Sequence, residues 1–81
     1  MSEGGFRNAQ NGANLSRRER ECILWLSEGY RTKDIAIKLD ISPSAVALYL
    51  NNARKKLDAQ SREHLVAKAI FAGILHPPND L

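Results

Sequence analysis

A single cysteine, Cys22, rules out an internal disulfide and any cysteine-built metal cluster. Its neighbours Ile23, Leu24 and Leu26 suit a small buried hydrophobe better than a reactive thiol. The two histidines, His64 and His76, have no second His or Cys at ligand spacing, so no metal site is expected. There is no Gly-rich phosphate loop and no Ser/His/acid arrangement, and the carboxylates of the first helix define no cleft. An enzyme is therefore a poor reading, and no cofactor is implied. No apolar run approaches the ~20 residues that cross a bilayer, and no apolar stretch of the signal-peptide kind follows Met1. A soluble, cytoplasmic protein without a membrane partner is expected. Strand alternation and internal repeats are also missing, which leaves an all-α fold.

At 81 residues the chain allows one small domain with one compact helical core. Twelve Lys+Arg against nine Asp+Glu give a net charge of +3, which by itself says little. Its placement says more. Between Arg31 and Arg62 stand seven basic residues (Arg31, Lys33, Lys38, Arg54, Lys55, Lys56, Arg62) and three acidic ones (Asp34, Asp40, Asp58). An excess gathered around one segment is the kind of footprint that suits a polyanion.

Residues 1–14 (MSEGGFRNAQNGAN) have no hydrophobic period and read as a flexible lead or linker. At Leu15 the character changes. Ser16 and Glu19 form a capping box, with Leu15 placed as a hydrophobic staple. The helix that follows runs to about Ser27, with Cys22, Ile23 and Leu26 inside and Leu24 or Trp25 at the margin. Trp25 is expected to be core, and Gly29 ends the helix. The charges of Arg17, Arg18, Glu19, Arg20 and Glu21 read as a solvated face. Thr32 is expected to cap a short second helix, Lys33 to Leu39, with Ile35, Ala36 and Leu39 inside. Asp40 then makes a tight corner.

The segment Ile41 to Leu57 is the most informative. Ser42 caps it and Pro43 takes the first helical position. Val46, Leu50, Ala53 and Leu57 form one apolar stripe. The opposite side carries Ser44, Leu48, Asn51 and Lys55, flanked by Ala47 and Asn52, and Arg54, Lys55 and Lys56 lie near the end. Two short helices joined by a corner make a helix-turn-helix, and this second helix suits a DNA major groove. Ser44, Leu48, Asn51 and Ala47 are its candidate base-reading residues. Arg54, Lys55 and Lys56 are its candidate phosphate contacts.

After a second corner, Asp58-Ala59-Gln60, Ser61 caps a last helix from Arg62 to Ala72, ended by Gly73 with Ile74 and Leu75 packing back. This helix is apolar nearly all round. Leu65, Val66, Ala69, Ile70 and Phe71 are thus candidates for a dimer seam, while covering the underside of the core is the plainer alternative. Residues 76–81 form a tail.

This ordered series resembles the LuxR-type (GerE or NarL/FixJ-type) helix-turn-helix domain of bacterial transcription regulators. The resemblance covers Leu15 to Leu75. It is carried by L-S-R-R-E-R-E at 15–21, Gly29, T-K-D-I-A-I-K-L at 32–39, I-S at 41–42, Val46, Asn52, K-K-L at 55–57, S-R at 61–62 and A-x-x-x-G-I-L at 69–75. The phrase C-I-L-W-L-S-E-G at 22–29 looks like the quorum-sensing branch, whose members have an N-terminal acyl-homoserine-lactone-binding domain.

The resemblance implies a four-helix bundle with helix 3 in the major groove of double-stranded DNA and helix 4 used for dimerisation. It also implies that Thr32, Lys33, Ser42, Asn52 and Lys56 lie near the DNA backbone or at positions that define the core. The family usually has Thr at Ala45, Lys at Ala47, His at Tyr49 and Ile at Ala53, and favours Gly where Asp40 and Asp58 stand. Two functions follow as expectations. The first is a homodimer that reads an inverted repeat to regulate transcription. The second, favoured by the missing groove-facing Lys, is an interaction module that pairs with another LuxR-type regulator or RNA polymerase. A sigma-factor-like region is a minor third.

Overall fold

The computed structural model describes residues 14–75. Within them lie four helices, α1 (Arg17–Ser27), α2 (Thr32–Leu39), α3 (Pro43–Lys56) and α4 (Arg62–Phe71), and no strand. Apart from Asn14, the lead expected over 1–14 lies outside the described residues, as do the tail over 76–81 and His76. No helix among the described residues is long and apolar enough to cross a membrane.

Three of the four helices begin on a serine. Ser16, Ser42 and Ser61 each accept a hydrogen bond from the backbone N–H three residues on, which satisfies one of the donors left open at a helix start. Glu19 completes the capping box by accepting from the Ser16 N–H at 2.8 Å. Leu15 does not act as a staple. The residue it would meet is Arg20, which instead donates to the Leu15 carbonyl at 3.1 Å, while the Leu15 side chain enters the core. The second helix departs from expectation too. Thr32 is already helical, Arg31 occupies the cap position without a side-chain bond, and the Thr32 hydroxyl accepts from Arg62 at 3.1 Å.

All four helices end by one device. The N–H two residues past the cap, or its equivalent, reaches back five residues: Tyr30 to the Trp25 carbonyl, Ile41 to Ala36, Ala59 to Arg54 and Ile74 to Ala69. Each closure turns on a residue with positive φ: Gly29, Asp40, Asp58 and Gly73. The closure satisfies the last carbonyls and sends an apolar side chain back toward the helix it leaves. At α1 the returning ring is Tyr30, which meets Trp25 edge-on with centroids 5.0 Å apart. Trp25 is therefore not core. It is half-buried at the rim, and the Lys38 ammonium lies 5.2 Å from its centroid.

The stripe Val46, Leu50, Ala53 and Leu57 is fully inward, as its spacing requires. Cys22 and Ile23 of α1, Ile35 and Ala36 of α2, and Leu65 and Ala69 of α4 close around it. Burial pushes the Cys22 thiol up to about 11, so it stays protonated as a packing group. Each large aliphatic in this cluster contributes roughly 1.5–3 kcal/mol by leaving water. Because α3 packs on both α1 and α2, its inner side is fully committed and its outer side is open.

The expected dimer seam needs correction. Leu65 and Ala69 are completely buried inside the domain and cannot touch a second copy. They share the side of α4 that meets α1 and α3. Only Val66, Ile70 and Phe71 of the five residues retain a free side; Phe71 is 91% exposed and Ile70 39%.

Asp40 and Asp58 adopt φ of 58° and 56°, where a side chain other than glycine's is disfavoured. Asp40→Gly and Asp58→Gly should each raise stability by roughly 0.5–1 kcal/mol, the backbone relief exceeding the entropy gained by the unfolded chain. Thermal melts should show a rise of a few degrees for each single variant and near-additive gains for the pair.

Candidate nucleic-acid interface

On the outer side of α3, Ser44, Leu48, Asn51 and Lys55 are exposed in one row, with Ala47 and Asn52 half-buried beside them. Leu48 is 57% exposed, an apolar side chain offered to solvent in the middle of a polar face. Ser42 uses its oxygen to accept from the Ala45 N–H at 3.0 Å, leaving its own hydroxyl proton available to an acceptor such as phosphate. Lys33 is exposed at the start of α2. Lys55 is exposed and has no ion-pair partner among the described residues.

Arg54 folds back along the helix. One arm donates to the Ala59 carbonyl at 3.1 Å and another to Asn51 Oδ1 at 3.0 Å. A guanidinium has only donors, so the Asn51 amide is turned with its oxygen toward Arg54 and its NH2 outward. A bidentate pair with adenine needs both the oxygen and the nitrogen of the amide. In this arrangement one lone pair of Asn51 Oδ1 is engaged by Arg54, while the NH2 is free to meet the acceptors of a guanine, adenine or thymine edge.

Lys56 is placed differently from its expected role as a phosphate contact. Its ammonium donates to Glu19 Oε1 at 2.8 Å, to Glu19 Oε2 at 3.1 Å and to the Asn14 carbonyl at 3.1 Å. Those three acceptors match its three protons. The reason lies with Glu19, which sits not on the solvated face but nearly sealed off at the start of α1, where an unpaired carboxylate would be costly. Burial alone would raise its pKa. The hydrogen bonds and charge of Lys56, with those of Ser16, outweigh this and hold it below the usual carboxylate range. The solvated pairing expected on α1 belongs to Glu21, bonded to Arg17 at 3.3 Å and Arg18 at 3.2 Å.

Arg62, which belongs to the basic footprint of the sequence but not to its candidate contacts, also borders this face. It stands at the first turn of α4 and reaches Thr32, thirty residues away. Its basicity and the S-R pair at 61–62 were the available signals. His64, by contrast, is structural, since its Nδ1 accepts from the Gln60 N–H at 3.0 Å.

With this geometry in place, the sequence pattern of the family described as "Bacterial regulatory proteins, luxR family" matches residues 13–69. The chain belongs to the luxR family. Relatives include the "Transcriptional activator protein LuxR" of Aliivibrio fischeri strain ES114, 39% identical over 64 residues that cover 79% of this chain and 26% of the relative. The "Transcriptional regulatory protein FixJ" of Azorhizobium caulinodans is 42% identical over 62 residues, 76% of this chain and 29% of its own. The "HTH-type quorum-sensing regulator RhlR" of Pseudomonas aeruginosa is 38% identical over 65 residues, 80% of this chain and 27% of its own. The chain thus spans about a quarter of the length of the curated relatives it matches. The helix-turn-helix of a luxR-family regulator is the part of those proteins to which it corresponds.

Lys56→Met leaves Glu19 buried without its partner and should cost about 1–3 kcal/mol at neutral pH. The wild-type contribution is full above the ordinary glutamate pKa and is lost as pH falls through the lower value of the folded protein. Urea melts at neutral pH and near pH 3 should therefore show the wild-type advantage shrinking in acid; an equal gap at both would remove the carboxylate from the pairing.

Proposed function

We propose that residues 15–75 form a DNA-binding domain that regulates transcription by reading double-stranded DNA with the outer face of α3. The observation that carries this is the division of α3. One stripe is sealed into the core, while Ser44, Leu48, Asn51 and Lys55 stand free on the other side of a 14-residue helix. Such a helix is about 21 Å long and fits a major groove about 12 Å wide. Asn51 NH2 and Ser44 hydroxyl meet base edges, and Leu48 with Ala47 meets thymine methyl groups. Lys55, Lys33, Ser42, Thr32, Asn52 and Arg54 lie along the phosphates. Lys56 anchors the end of α3 instead of binding phosphate. Membership of the luxR family and the regulatory names of the relatives support the same reading.

The domain works as a dimer, placing two copies of α3 in successive major grooves of an inverted repeat. Val66, Ile70 and Phe71 supply the contact, because they are the large apolar residues of α4 that the core leaves at least partly uncovered. The protein acts in the cytoplasm, where its DNA is, and it is not an enzyme.

Selection from random duplexes, combined with a salt titration, tests the DNA reading. An inverted repeat should be enriched, with affinity falling steeply as salt rises. Lys55→Ala should weaken binding to every duplex and lower the salt slope by about one, whereas Asn51→Ala should relax preference at one base pair of each half-site. Binding to no duplex even at low salt would instead favour an interaction module that pairs with another LuxR-type regulator or RNA polymerase. In sedimentation, Ile70→Glu and Phe71→Glu should each yield a folded monomer from a wild-type dimer; a wild-type monomer at high concentration would remove the α4 seam.

A further inference from the structure

Two guanidinium groups face one cleft beside the reading face of α3, with no carboxylate between them. The cleft, about 90 Å3 in volume, is lined by Ala47, Leu50, Asn51, Arg54 and Arg62. Arg54 enters it from the last turns of α3 and Arg62 from the first turn of α4. Their recorded bonds go to neutral acceptors: Arg54 to Asn51 Oδ1 and the Ala59 carbonyl, Arg62 to Thr32 Oγ1. Neither forms an ion pair among the described residues. A guanidinium carries five N–H donors, so each retains several that the protein does not use. Like charges turned toward one small space repel, and the arrangement is relieved when an anion enters.

We propose that Arg54 and Arg62 clamp a single DNA phosphate at the edge of the groove read by Asn51. This rests on the DNA-binding reading above and adds to it a contact from α4. A phosphodiester fits better than a solitary carboxylate side chain for two reasons. Two forks approaching from different helices match the several oxygens of a tetrahedral phosphate. The Thr32 hydroxyl, which accepts from Arg62, still has its own proton to donate to the same group. The small side chain of Ala47 keeps the cleft open on the side of α3. Because Arg54 also holds the Asn51 amide, the phosphate that it binds fixes the orientation of a base-reading group. Because Arg62 begins the helix whose far end carries Ile70 and Phe71, phosphate binding and pairing lie on one rigid element.

The test uses the whole chain, with Arg62→Ala and Arg62→Lys, on a selected duplex and on random duplex. Arg62→Ala should weaken both to the same degree, with a salt slope shallower by about one. The wild-type advantage should then shrink about 3.5-fold between about 50 and about 200 mM salt. Arg62→Lys should keep the wild-type slope, since its charge remains, and recover only part of the affinity, since its fork does not. A slope unchanged in Arg62→Ala overturns the clamp, because loss of the Thr32 bond alone would leave the slope as it was.

A second arm follows the side-chain Nε–Hε signals of Arg54 and Arg62 by NMR while inorganic phosphate is added. Saturable shifts in the wild type that vanish for Arg54 in Arg62→Ala support the clamp. If the wild type binds no duplex, the DNA reading fails. The anion cleft then stands on those shifts, and their absence overturns it as well.

Discussion

Helices of 8 to 14 residues are too short to persist in water on their own, so this domain depends on how each one is stopped and turned. The same closure occurs four times, with a bond reaching back five residues and a pivot at positive φ. It does two things at once. It satisfies carbonyls that would otherwise be left open, and it aims the next residue back at the helix just completed. Tyr30, Ile41, Ala59 and Ile74 are delivered to the edge of the core in this way, and the connections between helices stay short enough for α3 to be enclosed on its inner side. The open outer face of α3 is what remains once that enclosure is complete.

Much of this was legible in the sequence because it is written locally. A serine before a run of helical residues, a proline after it, and a glycine or aspartate beyond the end act on backbone groups three to five residues away. The stripe of Val46, Leu50, Ala53 and Leu57 was equally plain, since its spacing names a face without naming what covers it. The misses share one cause. Periodicity does not distinguish the side of α4 that meets α1 from the side left over, so Leu65 and Ala69 stand among the seam candidates although the core takes both. Nor could it show that Lys56, 37 positions from Glu19, would be called on to neutralise a carboxylate sealed in by the α1 cap. Helical spacing puts Leu24 or Trp25 at the margin of α1, and the closure at Gly29 holds Trp25, expected as core, at that rim against Tyr30.

The charges around α3 divide into those used by the fold and those left for a partner. Lys56 belongs to the fold, and Lys55 beside it has no ion-pair partner among the described residues. Arg54 does both, closing over the Ala59 carbonyl while setting the rotation of Asn51. A run of three basic residues therefore acts as three different devices, and their shared charge conceals it. The face presented outward is modest in charge and mixed in character, with Leu48 among amide and hydroxyl groups. A surface of that kind discriminates through shape and methyl contacts as much as through attraction.

One bond in this arrangement has a mechanical side. The Lys56 ammonium holds the Asn14 carbonyl as well as the Glu19 carboxylate, so the residue two places ahead of the α1 cap is tied to the last turn of α3. A pull on Asn14 would load that ammonium as well as the backbone leading into α1, and the bond to the carbonyl, without an opposite charge to hold it, would give before those to the carboxylate.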